Sequence, residues 1–345
     1  MPAVGWGTKS PTDMRGTDTS LPRQQLHFRY LCAFPVTTPR GARMRNLPKL
    51  PSKAAYIYVN NISRRNALSL DVLRDLSSQL KRHLRSPTSG KLLTLPPFRS
   101  ESLSKISNAE NTDYRWLTDP AVWAQQRDGL PKVLVLRSDG PVFSSGHDLK
   151  EVRTMSQESR KLLFDTCAEV MSLIRQSPAV VLCAVQGLAT AAGCQLAMTC
   201  DLTVARPSTP FQLPGMSIGL PCTSPSTAVS RRIPAGLAYK MFATAEAVRA
   251  DQLGGAIDIA GGESEDGFEK RVADLVSQLV NIPGQPQAFG KWAYWTQRSL
   301  SGPSGDGFQD AAQWASTAMC MHASSEEASE GISSFLDKRK PEWQT

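Results

Sequence analysis

The sequence predicts a layered α/β fold in which parallel strands alternate with helices, and the prediction has three grounds. Short apolar runs rich in β-branched residues recur over 132–137, 179–185 and 202–205. Stretches with helical periodicity lie between them, over 157–175 and 192–199. Because parallel neighbours need a crossover connection, this order indicates βαβ units with right-handed crossovers.

The segments on either side extend this pattern. A short strand is expected over 55–59, and an amphipathic helix over 68–84, whose leucines and valine share one face. After Ser224 the chain is expected to be mainly helical. The predicted helices cover 233–242, 247–253 and 268–279, and a long final helix ends at Lys340.

A polar stretch rich in Ser, Pro and Asn interrupts the pattern between residues 85 and 130. A structureless loop of this length is unusual inside a compact domain. We interpret it as an insertion, a partly disordered excursion or an artefact of gene prediction. The predicted organisation is therefore a leader over 1–54, a core over 55–260 that carries this insertion, and a helical region over 261–345.

The net charge of +8 is concentrated at the start of the chain. Residues 1–55 carry nine Lys or Arg and two Asp, which gives +7 and leaves +1 for the rest. An Arg-rich, acid-poor leader is typical of a mitochondrial presequence, so we expect the mitochondrial matrix, with a disordered tail as the alternative. Because the remaining chain is nearly neutral, no nucleic-acid partner is predicted.

Composition excludes several other classes of protein. The chain is 41% apolar and 20% charged, as in an ordinary globular protein, and no apolar run approaches the ~18 residues of a membrane span. Its seven cysteines are scattered and form no Cys-x-x-Cys pair, so neither a disulfide framework nor a zinc site is indicated. We expect a reducing compartment, no metal and no separate cofactor.

Two small-residue turns carry the functional signal. The first, over 143–150, reads FSSGHDLK, and the second, over 187–195, reads GLATAAGCQ; each follows an apolar strand. A strand that enters a helix through such a turn exposes backbone N–H groups with no helical acceptor. Two such turns facing each other would stabilise a developing oxyanion, as thioester enolate chemistry requires. Alternatively, the small residues of the second turn only permit close helix–strand packing.

Four segments in this order and spacing resemble the crotonase (enoyl-CoA hydratase/isomerase) superfamily. They are residues 65–69 (RNALS), 143–150, 187–201 and 330–341 (EGISSFLDKRKP). The resemblance covers about 55–84 and 131–341. It implies a crotonase-like (ClpP/crotonase) spiral of ββα turns, a C-terminal helical region used for trimerisation, and a homotrimer or hexamer. It also places the 85–130 insertion where walls of the acyl pocket are often built.

The resemblance implies a site for an acyl-CoA or enoyl-CoA thioester of fatty-acid metabolism. The backbone N–H groups of Ser145 and Ala192 would form the oxyanion hole. Lys150, Arg64 or Arg65, and Lys338 would meet CoA phosphates, the last together with Phe335 from a neighbouring subunit. The residues implied to contact CoA or substrate are Asn66, Ala67, Leu68, Ser145, Gly146, His147, Asp148, Lys150, Phe335 and Lys338.

The sequence departs from the hydratase pattern at both acid positions. Gln195 and Gly215 stand where hydratases of the family place two Glu. Addition of water needs groups that exchange protons, and neither an amide nor a glycine does so near neutral pH. We therefore do not expect classical hydration. Gln195 either orients a water or carbonyl or is a polar residue at a vacated cavity.

Several other polar residues near these turns are candidates to replace the missing acids. Asp148 is expected to brace its turn, with catalysis as the alternative. His147 is expected to pack or contact the pantetheine, with proton transfer as the alternative. Asp201 is expected to be structural, and Cys194 or Cys222 lacks a His partner for a nucleophilic role.

The sequence is compatible with three classes of function. The first is an acyl-CoA enzyme with another enolate chemistry, such as double-bond isomerisation. The second is a catalytically silent CoA-thioester binding or regulatory protein. The third and weakest is an RNA-binding relative, since no Lys/Arg stripe with interleaved aromatic residues is seen.

Overall fold

The computed structural model describes residues 47–99, 101–107, 113–297, 307–323 and 326–342. These residues belong to one compact unit. The predicted leader lies outside the described residues up to position 46. The strands are β1 Ala54–Val59, β2 Val133–Ser138, β3 Val142–Ser144, β4 Val180–Val185, β5 Leu188–Thr190, β6 Leu202–Ala205, β7 Pro210–Gln212, β8 Ala247–Arg249 and β9 Asp258–Ile259.

Thirteen α-helices are described. They are α1 Leu70–Leu84, α2 Ser102–Ser107, α3 Arg115–Thr118, α4 Pro120–Gln126, α5 Leu149–Thr154, α6 Gln157–Arg175, α7 Ala192–Thr199, α8 Thr223–Arg232, α9 Ala235–Thr244, α10 Glu265–Val280, α11 Gly284–Gln297, α12 Phe308–His322 and α13 Glu326–Asp337. Short 3₁₀ turns cover Ile62–Arg64, Pro214–Ile218 and Ala250–Gln252.

Two sheets organise the core. The larger one is fully parallel, in the order β1-β2-β4-β6-β9, and the smaller one has the order β3-β5-β7-β8, with only β7 and β8 antiparallel. From β2 to β7, consecutive strands thus alternate between the sheets, and a helix follows each of the pairs β2–β3 and β4–β5. This confirms the predicted ββα spiral.

The central strands are apolar throughout because both of their faces are covered. Every residue of β2 and β4 is buried, as is usual for parallel strands packed on two sides. Every residue of α7 is buried as well, so this helix runs through the interior. Its amino terminus, and with it the second small-residue turn, therefore lies inside the protein.

Capping side chains determine where α1 and α6 begin. The helix predicted from residue 68 begins at Leu70 because the Ser69 hydroxyl accepts from the Val72 N–H, which ends the preceding extended chain. Ser156 caps α6 in the same way, so its predicted start at residue 157 is confirmed.

The insertion is better ordered than its polar composition indicates. It contains α2, α3 and α4, and its buried Phe98, Trp116 and Leu117 pack in one cluster with Trp292 and Trp295 of α11. Sparse aromatic residues, rather than a periodic pattern, hold it in place. The partner helix α11 lies far along the chain, so local sequence patterns do not predict this packing.

The insertion also lies at an edge different from the one expected. The Leu95 N–H donates to the Gln176 carbonyl at 2.7 Å, just before β4, and Arg127 donates to Pro131 at 2.8 Å, just before β2. These contacts are at the amino ends of the strands. The two small-residue turns follow the carboxyl ends of strands, so these contacts of the insertion lie at the opposite ends of the strands from the turns.

Two helix predictions in the C-terminal half were wrong. Residues 247–249 form β8, in which the buried Val248 pairs with Phe211, and only 250–252 turn as a 3₁₀ segment. The long final helix is divided into α11, α12 and α13, and it ends at Asp337 because Lys338 adopts a left-handed conformation with φ 56°. Helix α12 packs on α6 and α8, and α13 packs on α5.

Candidate active site

The two small-residue turns are in direct contact. A Cβ built on Gly146 would lie 2.7 Å from the Ala191 Cβ and 3.2 Å from the Ala192 nitrogen. A Cβ built on Gly193 would lie 2.5 Å from the Ser144 carbonyl oxygen. Both glycines are therefore required by close approach, and the first turn lies against the amino terminus of α7.

The hydrogen bonds of the first turn change the expected donor. The Ser145 N–H already donates to the Arg65 carbonyl at 3.1 Å, and the Gly146 N–H donates to the Ser144 hydroxyl at 3.3 Å. The Ser145 N–H is thus not free, contrary to the expectation for the oxyanion hole. Among the described residues no acceptor faces the His147 N–H, which is the next backbone donor in the turn.

The second turn leaves its donor free, as expected. The Ala191 N–H donates to the Gln212 carbonyl at 3.0 Å, whereas the Ala192 N–H, in the first turn of α7, meets no acceptor in the described part of the chain. Ala192 is wholly buried. A buried N–H without a partner is unusual in a native protein and marks a place that a ligand can complete.

This donor depends on a strained residue. Ala191 has φ 50° and ψ −124°, a conformation that favours glycine. Such a backbone costs on the order of 1–3 kcal/mol, and it persists only where the surroundings enforce it. Ala191 thus keeps the geometry that a glycine would adopt, and its methyl group occupies space beside Gly146.

A set of hydrogen bonds made by Asn66 fixes the first turn. Its side-chain amide donates to the carbonyls of Asp139 and Val142, both at 2.8 Å, and its oxygen accepts from the Asn61 N–H at 3.1 Å. Its own carbonyl accepts from the Ser144 hydroxyl at 2.8 Å. Asn66 is 1% exposed, so its side chain is a structural tie and not a ligand contact.

The next two residues of this segment are also interior. Ala67 and Leu68 are buried, and the Leu68 N–H donates to the Gly146 carbonyl at 2.7 Å. The side chains predicted to touch CoA at 66–68 therefore support the turn from behind. Any contact they make with a ligand in this structure would use their backbone.

Asp148 acts as the expected brace. Its carboxylate caps α5 by accepting from the N–H groups of Lys150 at 3.1 Å and Glu151 at 3.4 Å, and it forms an ion pair with Arg64. The carboxylate raises the pKa of the Arg64 guanidinium through this hydrogen bond. With these partners in place, Asp148 is not poised as an acid or base.

A polar groove of about 460 Å³ lies beside this brace. Arg64 and Lys150 contribute its two cations, and Asp148 and Glu151 contribute two carboxylates. The Arg64 side chain is 53% exposed, so it can reach a ligand while it holds Asp148.

His147 is neutral and packed. Its Nδ1 lies 3.2 Å from the Leu68 carbonyl oxygen, and its ring meets Phe164 edge to face with centroids 5.1 Å apart. Burial lowers the pKa of His147 to about 4. A carbonyl partner requires the proton on Nδ1. The imidazole therefore supports the packing role, while the backbone of the same residue supplies the free N–H.

The two hydratase acid positions are closed. Gln195 is wholly buried, and its amide nitrogen donates to the Ser224 hydroxyl at 3.2 Å. A Cβ on Gly215 would lie 2.0 Å from the Leu220 carbonyl oxygen and 2.8 Å from the Cys222 nitrogen. No side chain fits at position 215 without movement of this turn.

The remaining candidates are structural. Asp201 accepts from the Val181 N–H at 2.8 Å and forms a buried ion pair with Lys291 at 2.6 Å, which confirms its expected role. Burial raises the pKa of Cys194, and that of Cys222 to about 11, so neither thiol ionises near neutral pH. In the described residues, no three His, Cys, Asp or Glu side chains gather as a metal would require.

The C-terminal candidates lie at the end of α13. Phe335 is 59% exposed, and Lys338 follows the helix end. Arg153 and Asp337, 3.7 Å apart, tie this helix to α5. Across the described residues, no helix has the length and apolar character needed to cross a membrane.

Comparison with known proteins identifies the family to which this two-sheet architecture and these two turns belong. Residues 121–345 match the enoyl-CoA hydratase/isomerase family. The chain belongs to this family. It is similar to the mouse protein named enoyl-CoA hydratase domain-containing protein 3, mitochondrial, with 32% identity over 83% of this chain and 80% of the relative.

Solved structures show the same architecture. The crystal structure of human enoyl-CoA hydratase domain-containing protein 3 aligns with a TM-score of 0.56 and 28% identity, over 86% of this chain and 98% of that one. An enoyl-CoA hydratase from Mycobacterium avium subsp. paratuberculosis aligns with a TM-score of 0.63 over 86% of this chain and 97% of that one. The latter is 19% identical and supports the fold alone.

Proposed function

We propose that the chain binds an acyl-CoA thioester with its carbonyl oxygen between the N–H groups of His147 and Ala192, and stabilises the enolate of that thioester. The observation that carries the proposal is this pair of acceptor-free donors on two turns in contact. Fixed backbone donors need no reorganisation when charge develops. Each contributes about 2.7–4 kcal/mol in comparable oxyanion holes.

The groove beside Asp148 supports binding of the CoA phosphates. Arg64 and Lys150 both border it, and a guanidinium meets phosphate through paired hydrogen bonds. Phe335 and Lys338 would add contacts to the CoA of a neighbouring copy in a homotrimer or hexamer. Their position at the exposed end of α13 supports this second part of the proposal.

Classical hydration is not part of the proposed activity. Gln195 cannot exchange a proton near neutral pH, and position 215 has no room for a carboxylate. If the protein is an enzyme, its reaction is another enolate step, such as double-bond isomerisation. A catalytically silent binding protein is the second candidate, and the engagement of Asp148 by three donors favours it.

We place this activity in mitochondrial fatty-acid metabolism, in the matrix. The support is the acid-poor, Arg-rich leader and the word mitochondrial in the names of the mouse, rat and human relatives. The proposal needs no cofactor apart from the CoA of the substrate.

Calorimetric titration of the full chain with a 2-oxoalkyl-CoA, a non-hydrolysable thioether analogue that keeps a carbonyl group, tests the binding proposal. We expect saturable binding, and weaker binding of free CoA, which lacks the acyl carbonyl. Assays for crotonyl-CoA hydration and for isomerisation of a β,γ-enoyl-CoA follow on the same preparation. Isomerisation would identify an enzyme, and its absence a silent binder. Absence of binding would refute the proposal, and rapid hydration would refute the role given to Gln195 and Gly215.

A further inference from the structure

A second groove, of about 920 Å³, lies along α1, between this helix, α6 and the chain that follows α1. It shares no lining residue with the polar groove beside Asp148 or with the two small-residue turns. The inference drawn from it is independent of the proposed function.

The groove is strongly cationic. Four cations line it, Arg74, Lys81, Arg82 and Arg85, against the single carboxylate of Glu169, which leaves an excess of three positive charges. At about 1.5 Å per helical residue the four span about 16 Å along α1. Because residues 56–345 are nearly neutral overall, their net charge does not reveal this local excess of positive charge.

Most of this charge is not neutralised by the residues that the structure describes. Lys81 pairs with Glu169 at 2.5 Å, and Arg74 lies 3.8 Å from the fully exposed Asp71, where an ion pair contributes little. Among the described residues, the Arg85 side chain donates to the neutral Gly90 carbonyl at 2.7 Å and forms no ion pair. Arg82 forms no ion pair with any residue that the structure describes. Like charges held this close repel one another, and an anion would relieve that repulsion.

Hydroxyl groups accompany the cations. Ser77 and Thr166 are buried at the base of the groove, and Ser78 is exposed one position further along α1. The hydroxyls of Ser77 and Ser78 make no hydrogen bond with other described residues, so they remain available as donors to an acceptor-rich ligand.

We propose that this groove binds a small polyphosphate, a ligand with two or three phosphate groups in a row and no large apolar portion. Three of the four cations are arginines, whose planar guanidinium matches phosphate oxygens in pairs. The volume falls within the range of small-molecule sites. No aromatic side chain lines the groove, so it lacks the stacking platform that proteins use for single-stranded nucleic acid.

Calorimetric titration of the full chain with inorganic tripolyphosphate tests the proposal. We expect saturable binding that weakens as salt is added. The double variant R82A/R85A should bind about tenfold more weakly or worse, since each charge-assisted hydrogen bond contributes strongly to affinity. The single variant R82E should lose affinity as well without removing the Arg85 bond to Gly90, which separates loss of charge from a change in the loop.

The matched control is K240A/K270A, which removes two exposed positive charges elsewhere on the surface. It should bind tripolyphosphate like the wild type. Absence of binding by the wild type, or equal weakening in the control, would overturn the proposal. So would tighter binding of an RNA oligonucleotide, or of vesicles containing a phosphoinositide, than of tripolyphosphate if that binding is lost in R82A/R85A, because the groove would then serve a macromolecular surface.

Discussion

Gly146 and Ala191 face each other at the contact of the two turns, where a Cβ on Gly146 would lie 2.7 Å from the Ala191 Cβ. Each has positive φ, at 83° and 50°. Only the glycine is free of strain there, since an alanine rarely adopts this conformation. The two backbone donors that we propose as an oxyanion hole are thus held by two tight turns, one of which contains a strained alanine.

Replacement of Ala191 by glycine should stabilise the protein. Relief of the strained φ and ψ outweighs the added freedom of the unfolded chain, so we expect a gain of about 1 kcal/mol in the free energy of unfolding. Denaturant titration measures it. The matched control is A197G, in the buried, regular part of α7, which should lose at least about 1 kcal/mol. A loss in A191G would show that the alanine is not strained.

Removal of the hydrogen bonds made by the Asn66 side chain should be strongly destabilising. Asn66→Ala leaves the Asp139 and Val142 carbonyls and the Asn61 N–H without their partner. We expect a loss of about 3 kcal/mol in the free energy of unfolding, because unsatisfied buried polar groups are expensive. Denaturant titration is again the measurement.

Asn66→Asp is the informative companion variant. It keeps the acceptor for Asn61 but directs a carboxylate oxygen at two carbonyls, so it too should be destabilised near neutral pH. A variant N66D as stable as the wild type would contradict the importance assigned to the amide donor.

The contact of the two turns was predictable from sequence, but the identity of one donor was not. Small residues after strands identify where backbone N–H groups are exposed. Which N–H remains free depends on a distant segment, because the Arg65 carbonyl occupies the Ser145 N–H at 3.1 Å. The free donor, that of His147, lies two residues further along.

Restoring one hydratase acid should not restore hydration. In Gln195→Glu the new carboxylate would be buried beside the Ser224 hydroxyl, which raises its pKa and favours the neutral form. The second acid remains absent because position 215 cannot hold a side chain. We expect no hydration of crotonyl-CoA above that of the wild type. Rapid hydration by Q195E would contradict the closed geometry at Gly215.

The partly buried His147 should make the protein less stable in mild acid. Its pKa is about 4 in the folded state, below the ordinary 6.5, so the unfolded chain binds the extra proton between these values. Stability from this group is complete above pH 6.5 and decreases as pH falls toward 4, by on the order of 3 kcal/mol.

The variant His147→Gln isolates this contribution. Its amide can still donate to the Leu68 carbonyl, but it does not titrate. Unfolding free energies measured across this pH range should decrease less steeply in H147Q than in the wild type. Identical pH profiles would show that His147 is not held neutral by burial.

The inserted segment and the C-terminal region show where sequence reasoning fails for physical reasons. Phe98 and Trp116 are isolated apolar residues in a polar stretch. They form a buried cluster only together with Trp292 and Trp295 of α11. Val248 belongs to a strand because Phe211 pairs with it, although its local sequence favours a helix. In both cases a partner distant in sequence decides the outcome.

The oxyanion hole itself can be tested with acetoacetyl-CoA, whose enolate absorbs in the near ultraviolet. Binding between the His147 and Ala192 N–H groups should increase the enolate absorbance at a fixed pH. The variant A191G/A192P removes one donor at the first helical position, where proline is tolerated, and A191G alone is its control.

The measurement that tests the central claim most directly is this absorbance change on titration of the wild type, A191G and A191G/A192P. We predict a saturable increase for the wild type and A191G, and an increase at least about tenfold smaller at equal concentration for the double variant, once circular dichroism has shown that it folds. No increase with the wild type, or an equal increase in all three proteins, would contradict the claim that these two backbone donors form an oxyanion hole.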